Sequence, residues 1–210
     1  MILVGQYDSP FVRRVAVTLH LYGMPFTRNT LSVFSDAGEM ARINPLVRIP
    51  SLVLDSGETL IDSAAILDTL DEMAGPGRAL TPPSGAARRR VLQATAMATG
   101  AIDKAGAWVY ERHFHPPGQR SEKMLARYEA QLAGALSWLD AQSRDGRLCG
   151  PALTQADISA AALVFYLKLR AAPAFPEGGY PRLAALCNAL EATDAFIATR
   201  PAPNETMPAA

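Results

Sequence analysis

The chain has 210 residues, and its 20 Lys and Arg residues balance 20 Asp and Glu residues. A neutral chain without a basic tract lacks the electrostatic footprint of nucleic-acid binding, and no apolar run approaches the ~18 residues of a membrane-spanning helix. Its two cysteines, Cys149 and Cys187, are far apart and lack metal-ligand spacing, so the sequence predicts a reducing compartment and no metal site. The first ten residues show neither the basic region nor the long apolar core of a signal peptide, so we expect a cytoplasmic location.

The first 76 residues alternate between strand and helix patterns. Residues 2–4 form a short apolar strand, and Ser9-Pro10 opens a helix because Ser is a good N-cap and Pro is tolerated at the first helical position. Gly23 ends this helix. The remaining predicted elements are a strand at 26–31, a helix at 36–43, strands at 51–54 and 59–61, and a helix that Asp62 caps.

The second half is predicted to be almost wholly helical. A Gly- and Pro-rich linker at 77–85 precedes a long Ala- and Gly-rich helix at 86–110 and an amphipathic helix at 121–141. Thr154 and Asp157 have the spacing of a capping box and predict another helix start. The predicted domains are residues 1–76, the linker 77–85, a helical domain 86–200, and a loosely held tail 201–210.

Ser9 lies where the first predicted strand gives way to the first predicted helix. The start of a helix combines unpaired N–H groups with the positive end of the helix dipole and favours an anion. A thiolate held there would gain a hydrogen bond from the hydroxyl, and its pKa would fall below the ~8.5 of a free thiol. A plain N-cap also explains Ser9, and spacing alone favours the cap.

Two further stretches carry candidate chemistry. Pro50 interrupts an apolar stretch ahead of a strand, and we expect a cis bond that turns the Ile49 backbone outward toward an extended peptide; an ordinary trans proline is the alternative. Asp62-Ser63 begins a helix, where a hydroxyl and free N–H groups can hold a carboxylate while the Asp accepts from an ammonium. Taken alone, this pair is explained more simply by a helix cap.

In combination these stretches resemble the glutathione transferase family, in particular its bacterial serine-type members. The likeness is carried by SPFVRRV at 9–15, NPLVRIPSL at 44–52, DSAAIL at 62–67 and LTQADIS at 153–159, in that order and spacing. It extends over essentially the whole chain. The resemblance implies an α/β thioredoxin-like N-terminal domain of order βαβαββα, an all-α C-terminal domain and a homodimer.

The resemblance also implies roles for individual residues. Ser9 matches the catalytic serine that stabilises the glutathione thiolate, and glutathione is the cosubstrate, with no metal. The implied glutathione-binding residues are Phe11 at the sulfur, Arg48 at the glycine carboxylate, Ile49 before Pro50 at the cysteinyl part, and Asp62 with Ser63 at the γ-glutamyl group. Trp108, Tyr110 and His113 are candidates for the wall of an electrophile pocket, although packing explains each of them as well.

Departures from the family pattern leave alternatives open. Val47 stands where the family motif usually has Gly, and Thr99 stands where many relatives carry an Asp that the partner subunit contributes. Tyr7 is an alternative to Ser9, because tyrosine-type relatives use a Tyr near the end of the first strand. Neither cysteine lies at the first helix start, which excludes a thioredoxin-type disulfide exchange, and both are interpreted as packing residues.

The function implied is transfer of glutathione sulfur to a small electrophile. A glutathione-dependent isomerase or dehalogenase would use the same residues. A non-catalytic binding protein of the same fold is the alternative from another class, and it is disfavoured because the serine and the γ-glutamyl pair are both present.

Overall fold

In the computed structural model, which describes residues 1–205, contacts divide the chain into two units. Of the described residues, 1–83 and 192–205 form the first unit, and 84–191 form the second. The sequence-based boundaries placed 86–200 in one helical domain, whereas the structure groups 192–205 with the first unit. Part of the predicted tail, residues 206–210, lies outside the described residues.

A four-stranded mixed sheet lies at the centre of the first unit, in the strand order β2-β1-β3-β4. Strand β1 pairs parallel with β2 and antiparallel with β3, so that Leu3 lies opposite both Arg28 and Leu52. This topology confirms the thioredoxin-like fold. The elements are β1 Ile2–Val4, α1 Pro10–Tyr22, β2 Thr27–Asn29, α2 Ala37–Ile43, β3 Ser51–Val53, β4 Thr59–Ile61 and α3 Ser63–Ala74.

Helix α1 forms much of the core of this unit. The Ser9 side chain caps it by accepting from the Val12 N–H at 3.4 Å, and Gly23 ends it in the left-handed region at φ 65°. Its apolar stripe packs against β3 and α3, so burial of both helices stabilises the same cluster. The fully buried members of this cluster include Val12, Val15, Ala16, Leu19, Leu52, Ile66 and Leu70.

The C-terminal segment joins the first unit through Arg13 on α1. This guanidinium is fully buried and donates from Nε to the Thr199 carbonyl and from Nη2 to the Phe196 carbonyl, both at 3.2 Å. A buried cation requires such acceptors, because an unpaired charge away from water is costly. The pairing explains why 192–205, including the short helix α8 Asp194–Ile197, groups with α1.

Four α-helices form most of the second unit, residues 84–191. They are α4 Gly85–Phe114, α5 Glu122–Gln142, α6 Gln155–Arg170 and α7 Pro181–Glu191, with α4 packed on α5 and α6. The predicted capping box is confirmed, since the side chains of Thr154 and Asp157 each cap the other's backbone. Helix α4 extends four residues beyond its predicted end and stops ahead of Pro116, which disfavours helical conformation in the preceding residue. None of the helices within residues 1–205 is both long and apolar enough to cross a membrane.

Asp71 on α3 holds the segment that follows this helix. Its buried carboxylate accepts from the Tyr22 hydroxyl and, at 3.1 Å each, from the backbone N–H groups of Leu80 and Thr81. Arg78 donates to the Tyr22 carbonyl at 2.7 Å. The buried charge of Asp71 therefore holds residues 80 and 81, and Arg78 adds a separate bond to the end of α1.

We predict that Asp71→Ala lowers the free energy of unfolding by about 3 kcal/mol, because three donors lose a charged acceptor and two of them are buried. Urea unfolding followed by circular dichroism measures the change. Glu72→Ala, at the exposed neighbouring position, is the control and should change stability by less than about 0.5 kcal/mol. Equal stability of the two variants would contradict the role given to Asp71.

Candidate functional site

A solvent-open groove lies in the first unit. It brings together all six residues that the resemblance singles out for binding, which come from three separate stretches of sequence. The lining residues are Phe11, Asn44, Leu46, Arg48, Ile49, Pro50, Ile61, Asp62 and Ser63.

Gly5 allows two of these stretches to meet at the end of β1. Its φ is +127°, and a Cβ atom added there would lie 2.7 Å from Cγ2 of Val12 and 2.9 Å from Cβ of Ile49. Real Cβ atoms do not approach so closely, so only glycine permits the first turn of α1 and the Ile49 loop to converge here. The groove depends on this close approach.

Asn44 organises the loop that follows α2. It is buried; its Nδ2 donates to the Arg48 carbonyl at 2.8 Å, and its Oδ1 accepts from the Leu46 N–H at 3.0 Å. Val47 adopts φ +49°, a left-handed conformation that costs an ordinary residue about 1–2 kcal/mol. The Gly that is usual in the family would adopt this conformation without strain. Val47 adopts it too, so the loop keeps its shape but its backbone is strained at this residue.

The Ile49-Pro50 peptide bond is cis, which confirms the expectation for Pro50. Within residues 1–205, the N–H and C=O groups of Ile49 have no hydrogen-bond partner, although Ile49 itself lines the groove. A half-buried main-chain donor and acceptor pair is thus left available for a ligand.

Arg14 supports the Asp62-Ser63 end of the groove. Its Nη1 donates to the Ser63 Oγ at 3.2 Å, and its Nε has no partner among the described residues. Burial lowers the pKa of Arg14 to about 10, against the opposing effect of the Asp62 carboxylate, so the guanidinium stays charged at neutral pH. Because Ser63 accepts from Arg14, its own hydroxyl hydrogen remains free to donate.

Asp62 caps α3 from an exposed position. Its Oδ1 accepts from the Ala64 N–H at 2.7 Å, and its φ is +70°. Sequence reasoning found Asp62 and Ser63 but missed Arg14 and Asn44. The signal for Arg14 was present, because an arginine pair interrupts the apolar pattern of α1.

Ser9 and Tyr7 occupy different environments. Ser9 is half-buried at the N-cap of α1, two residues before the groove residue Phe11, but is not itself among the lining residues. Tyr7 is buried with the Arg28 guanidinium carbon 3.4 Å from its ring centroid, and burial is the main cause that raises the pKa of its phenol. Tyr7 does not line the groove either, and the assignment of Ser9 rather than Tyr7 to a ligand's sulfur stays a prediction.

The three candidates for an electrophile wall all lie on α4 but do not share one face of it. At 100° per residue, Trp108 and Tyr110 are about 200° apart around the helix. Trp108 is buried and donates from Nε1 to Glu129 at 2.9 Å, whereas Tyr110 is 45% exposed. His113 lies edge-on to Phe114, which Tyr110 also contacts. Tyr110 and His113 therefore lie together beside Phe114, whereas Trp108 is buried and hydrogen-bonded to Glu129.

Neither cysteine is placed as a nucleophile. Cys187 is buried and Cys149 is half-buried, and burial is the main cause that raises the pKa of each thiol. Both therefore stay protonated at neutral pH, as expected for packing residues. Among residues 1–205, no group of His, Cys, Asp and Glu side chains has an arrangement that could hold a metal ion.

Comparison with known proteins gives matches over both units. Residues 3–78 match the model of the glutathione S-transferase N-terminal domain, and residues 122–189 match that of the C-terminal domain. The uncharacterized GST-like protein YibF of Escherichia coli K12 is 33% identical over 203 residues, which cover 96% of this chain and 98% of YibF.

Two solved structures extend the likeness. A glutathione transferase family member from Pseudomonas fluorescens Pf-5 with bound glutathione is 31% identical, with a TM-score of 0.85 over 96% of this chain and 98% of that one. A glutathione S-transferase from Methylobacterium radiotolerans in complex with glutathione sulfonate is 27% identical, with a TM-score of 0.91 over 100% and 98%.

We predict that Asn44→Ala destabilises the protein by about 2 kcal/mol, because two hydrogen bonds that shape the groove loop are lost. Urea unfolding measures the loss. Leu46→Ala is the matched control, since its side chain is 65% exposed and its backbone N–H is retained. If Asn44→Ala is as stable as this control, the loop does not depend on the Asn44 side chain.

Proposed function

Because the chain belongs to the glutathione S-transferase family, we propose that its groove binds glutathione and that Ser9 stabilises the bound thiolate for attack on a small electrophile. One observation carries this proposal. The six residues expected to bind glutathione, drawn from three stretches of sequence, line one groove.

The middle of the ligand is matched by Ile49. An extended peptide binds most simply by pairing its main-chain groups with an unpaired main chain of the protein. The free N–H and C=O groups of Ile49 supply one donor and one acceptor beside the groove. In the proposed complex they pair with the cysteinyl residue of glutathione.

The γ-glutamyl end carries one carboxylate and one ammonium, and the Asp62-Ser63 end of the groove offers the complementary groups. Arg14 occupies a lone pair of Ser63, so the Ser63 hydroxyl donates outward to the carboxylate. The buried charge of Arg14 lies behind this hydroxyl and favours an anion there. The exposed carboxylate of Asp62 then accepts from the ammonium.

The same hydrogen-bond logic applies at the sulfur. Ser9 already accepts from the Val12 N–H, so its hydroxyl hydrogen is available for a thiolate. Capping α1 and stabilising a thiolate are therefore compatible roles for one hydroxyl. The half-buried ring of Phe11 supplies an apolar wall beside it. Catalysis then consists of thiolate formation and the placement of two reactants.

Other parts of the sequence-based hypothesis stay predictions. These are the contact of Arg48 with the glycine carboxylate, the electrophile wall on α4, the homodimer and the cytoplasmic location. A glutathione-dependent isomerase or dehalogenase would use the same thiolate, and an electrophile panel distinguishes these activities from transfer. A binding-only protein would show no turnover with any member of such a panel.

We predict that Ser9→Ala keeps glutathione affinity nearly intact but lowers turnover at neutral pH. Losing a donor to a charged group costs about 1.5–3 kcal/mol, which raises the pKa of the bound thiol by roughly one to two units. A raised pKa leaves less thiolate at any pH below it, so the pH profile of conjugation moves to higher pH. Ultraviolet titration of the bound thiolate and the pH dependence of kcat/KM measure the shift.

Tyr7→Phe is the matched control for the Ser9 variant, because it removes the alternative hydroxyl from the same loop. We expect its pH profile to equal that of the wild type. A shifted profile in Tyr7→Phe together with an unshifted one in Ser9→Ala would transfer the role to Tyr7 and leave Ser9 as a cap.

We predict that Asp62→Asn weakens glutathione binding at least about tenfold without lowering the melting temperature. Asn remains a good N-cap and tolerates a positive φ, but it removes the charge that the ammonium requires. Asp62→Ala should lose the same affinity and, in addition, about 1 kcal/mol of stability. Calorimetry and thermal unfolding separate the two effects, and unchanged affinity in both variants would restrict Asp62 to capping.

A further inference from the structure

The C-terminal segment, residues 192–205, is hydrogen-bonded to the chain on both sides of Ser9. Two residues before Ser9, the buried Tyr7 N–H donates to Oε2 of Glu205 at 2.7 Å. Four residues after Ser9, Arg13 donates to the carbonyls of Phe196 and Thr199. The ends of the segment 196–205 thus hold the chain immediately before and after the residue proposed to meet the sulfur.

Glu205 is held firmly at this point. Its side chain is 5% exposed, and its Oε1 accepts from Nη2 of Arg28 at 2.6 Å. The same guanidinium lies over the Tyr7 ring. A buried carboxylate persists only where its charge and lone pairs are matched, and Arg28 together with the Tyr7 N–H does so. One carboxylate therefore joins the C-terminal segment, strand β2 and the loop before Ser9.

The loop lies between β1 and α1, outside the regular hydrogen bonds of either element. The Gly5 N–H donates to the Asn29 carbonyl at 2.8 Å, and the Ser9 N–H donates to the Gln6 carbonyl at a longer 3.2 Å. Between these two bonds, Glu205 holds the main chain at Tyr7. The hydrogen bond from the Tyr7 N–H to the Glu205 carboxylate is charge-assisted and short.

We propose that Glu205 is a positioning residue for Ser9. By holding the Tyr7 N–H, it fixes the main chain of the 5–9 loop and therefore the direction in which the Ser9 hydroxyl donates. The effect of Glu205 on the thiolate rests on the proposed function. The effect of Glu205 on the loop is independent of that function, because its contacts exist without a ligand.

The experiment compares three single variants with the wild type. Glu205→Ala removes both bonds of the carboxylate. Glu205→Gln keeps an oxygen that can accept from the Tyr7 N–H but removes the charge that faces Arg28. Asn204→Ala is the matched control, since Asn204 is exposed and adjacent in sequence.

Hydrogen exchange without ligand tests the hold on the loop. We expect Glu205→Ala to speed exchange of the Tyr7 and Ser9 amides by about tenfold or more, Glu205→Gln to speed it less, and Asn204→Ala not to change it. Equal exchange in Glu205→Ala and Asn204→Ala overturns the proposal. If Glu205→Ala does not fold, Glu205→Gln decides in the same way.

Thiolate titration at saturating glutathione tests the effect of Glu205 on the pKa of the bound thiol. A merely structural role of Glu205 would leave this pKa unchanged. We expect Glu205→Ala to raise the pKa of the bound thiol and to lower kcat at neutral pH about two- to tenfold, with the dissociation constant for glutathione within about twofold of the wild type. Glu205→Gln should restore part of the loss.

The two proposals fail in different ways. A wild-type protein that binds no glutathione overturns the proposed function, while exchange at Tyr7 and Ser9 still decides whether Glu205 holds the loop. The other case is a wild type that binds and activates glutathione as proposed. If the thiol pKa and kcat of Glu205→Ala then equal those of the wild type, only the proposal that Glu205 positions Ser9 is overturned.

Discussion

The first unit depends on two adjacent arginines buried in α1. Each guanidinium carries five N–H donors, so a helix that buries both must find acceptors in two directions about 100° apart. Arg13 finds carbonyls of the C-terminal segment, and Arg14 finds Ser63 at the start of α3. One helix thereby fixes residues 196–199 on one side and one end of the groove on the other.

Two serines in this unit share a hydrogen-bond pattern that prepares them for anions. Ser9 accepts from a backbone N–H, and Ser63 accepts from Arg14. In each case the protein occupies an oxygen lone pair and leaves the hydroxyl hydrogen to donate elsewhere. In the proposed complex these two donors would meet the two anionic groups of glutathione, its thiolate and its γ-glutamyl carboxylate.

The loop at 44–50 shows how a departure from a family pattern is accommodated. Val47 adopts a conformation better suited to Gly, and the strain is offset by the bonds of Asn44 and by apolar packing of Val47 with Ile43 and Ile49 against a small buried cluster. A turn held by a buried side chain tolerates a residue that a free turn would reject. The departure therefore leaves the groove in place.

The sequence by itself determined the features that depend on near neighbours. The caps at Ser9, Asp62 and Thr154 involve atoms within three residues of one another, and the motif order pointed to the thioredoxin-like fold and to six of the nine residues that line the groove. Local spacing predicts such features because helix and turn geometry is nearly constant.

Only the tertiary structure decided which distant groups meet. Arg14 reaches Ser63 across 49 positions, and Glu205 reaches Tyr7 across 198, whereas Trp108 turns away from Tyr110 although only two residues separate them. The sequence showed an arginine pair, a tail and a run of aromatics, but not their partners. The physical reason is that a buried charge must be paired wherever the folded chain supplies an acceptor, and that place follows from packing rather than from spacing along the sequence.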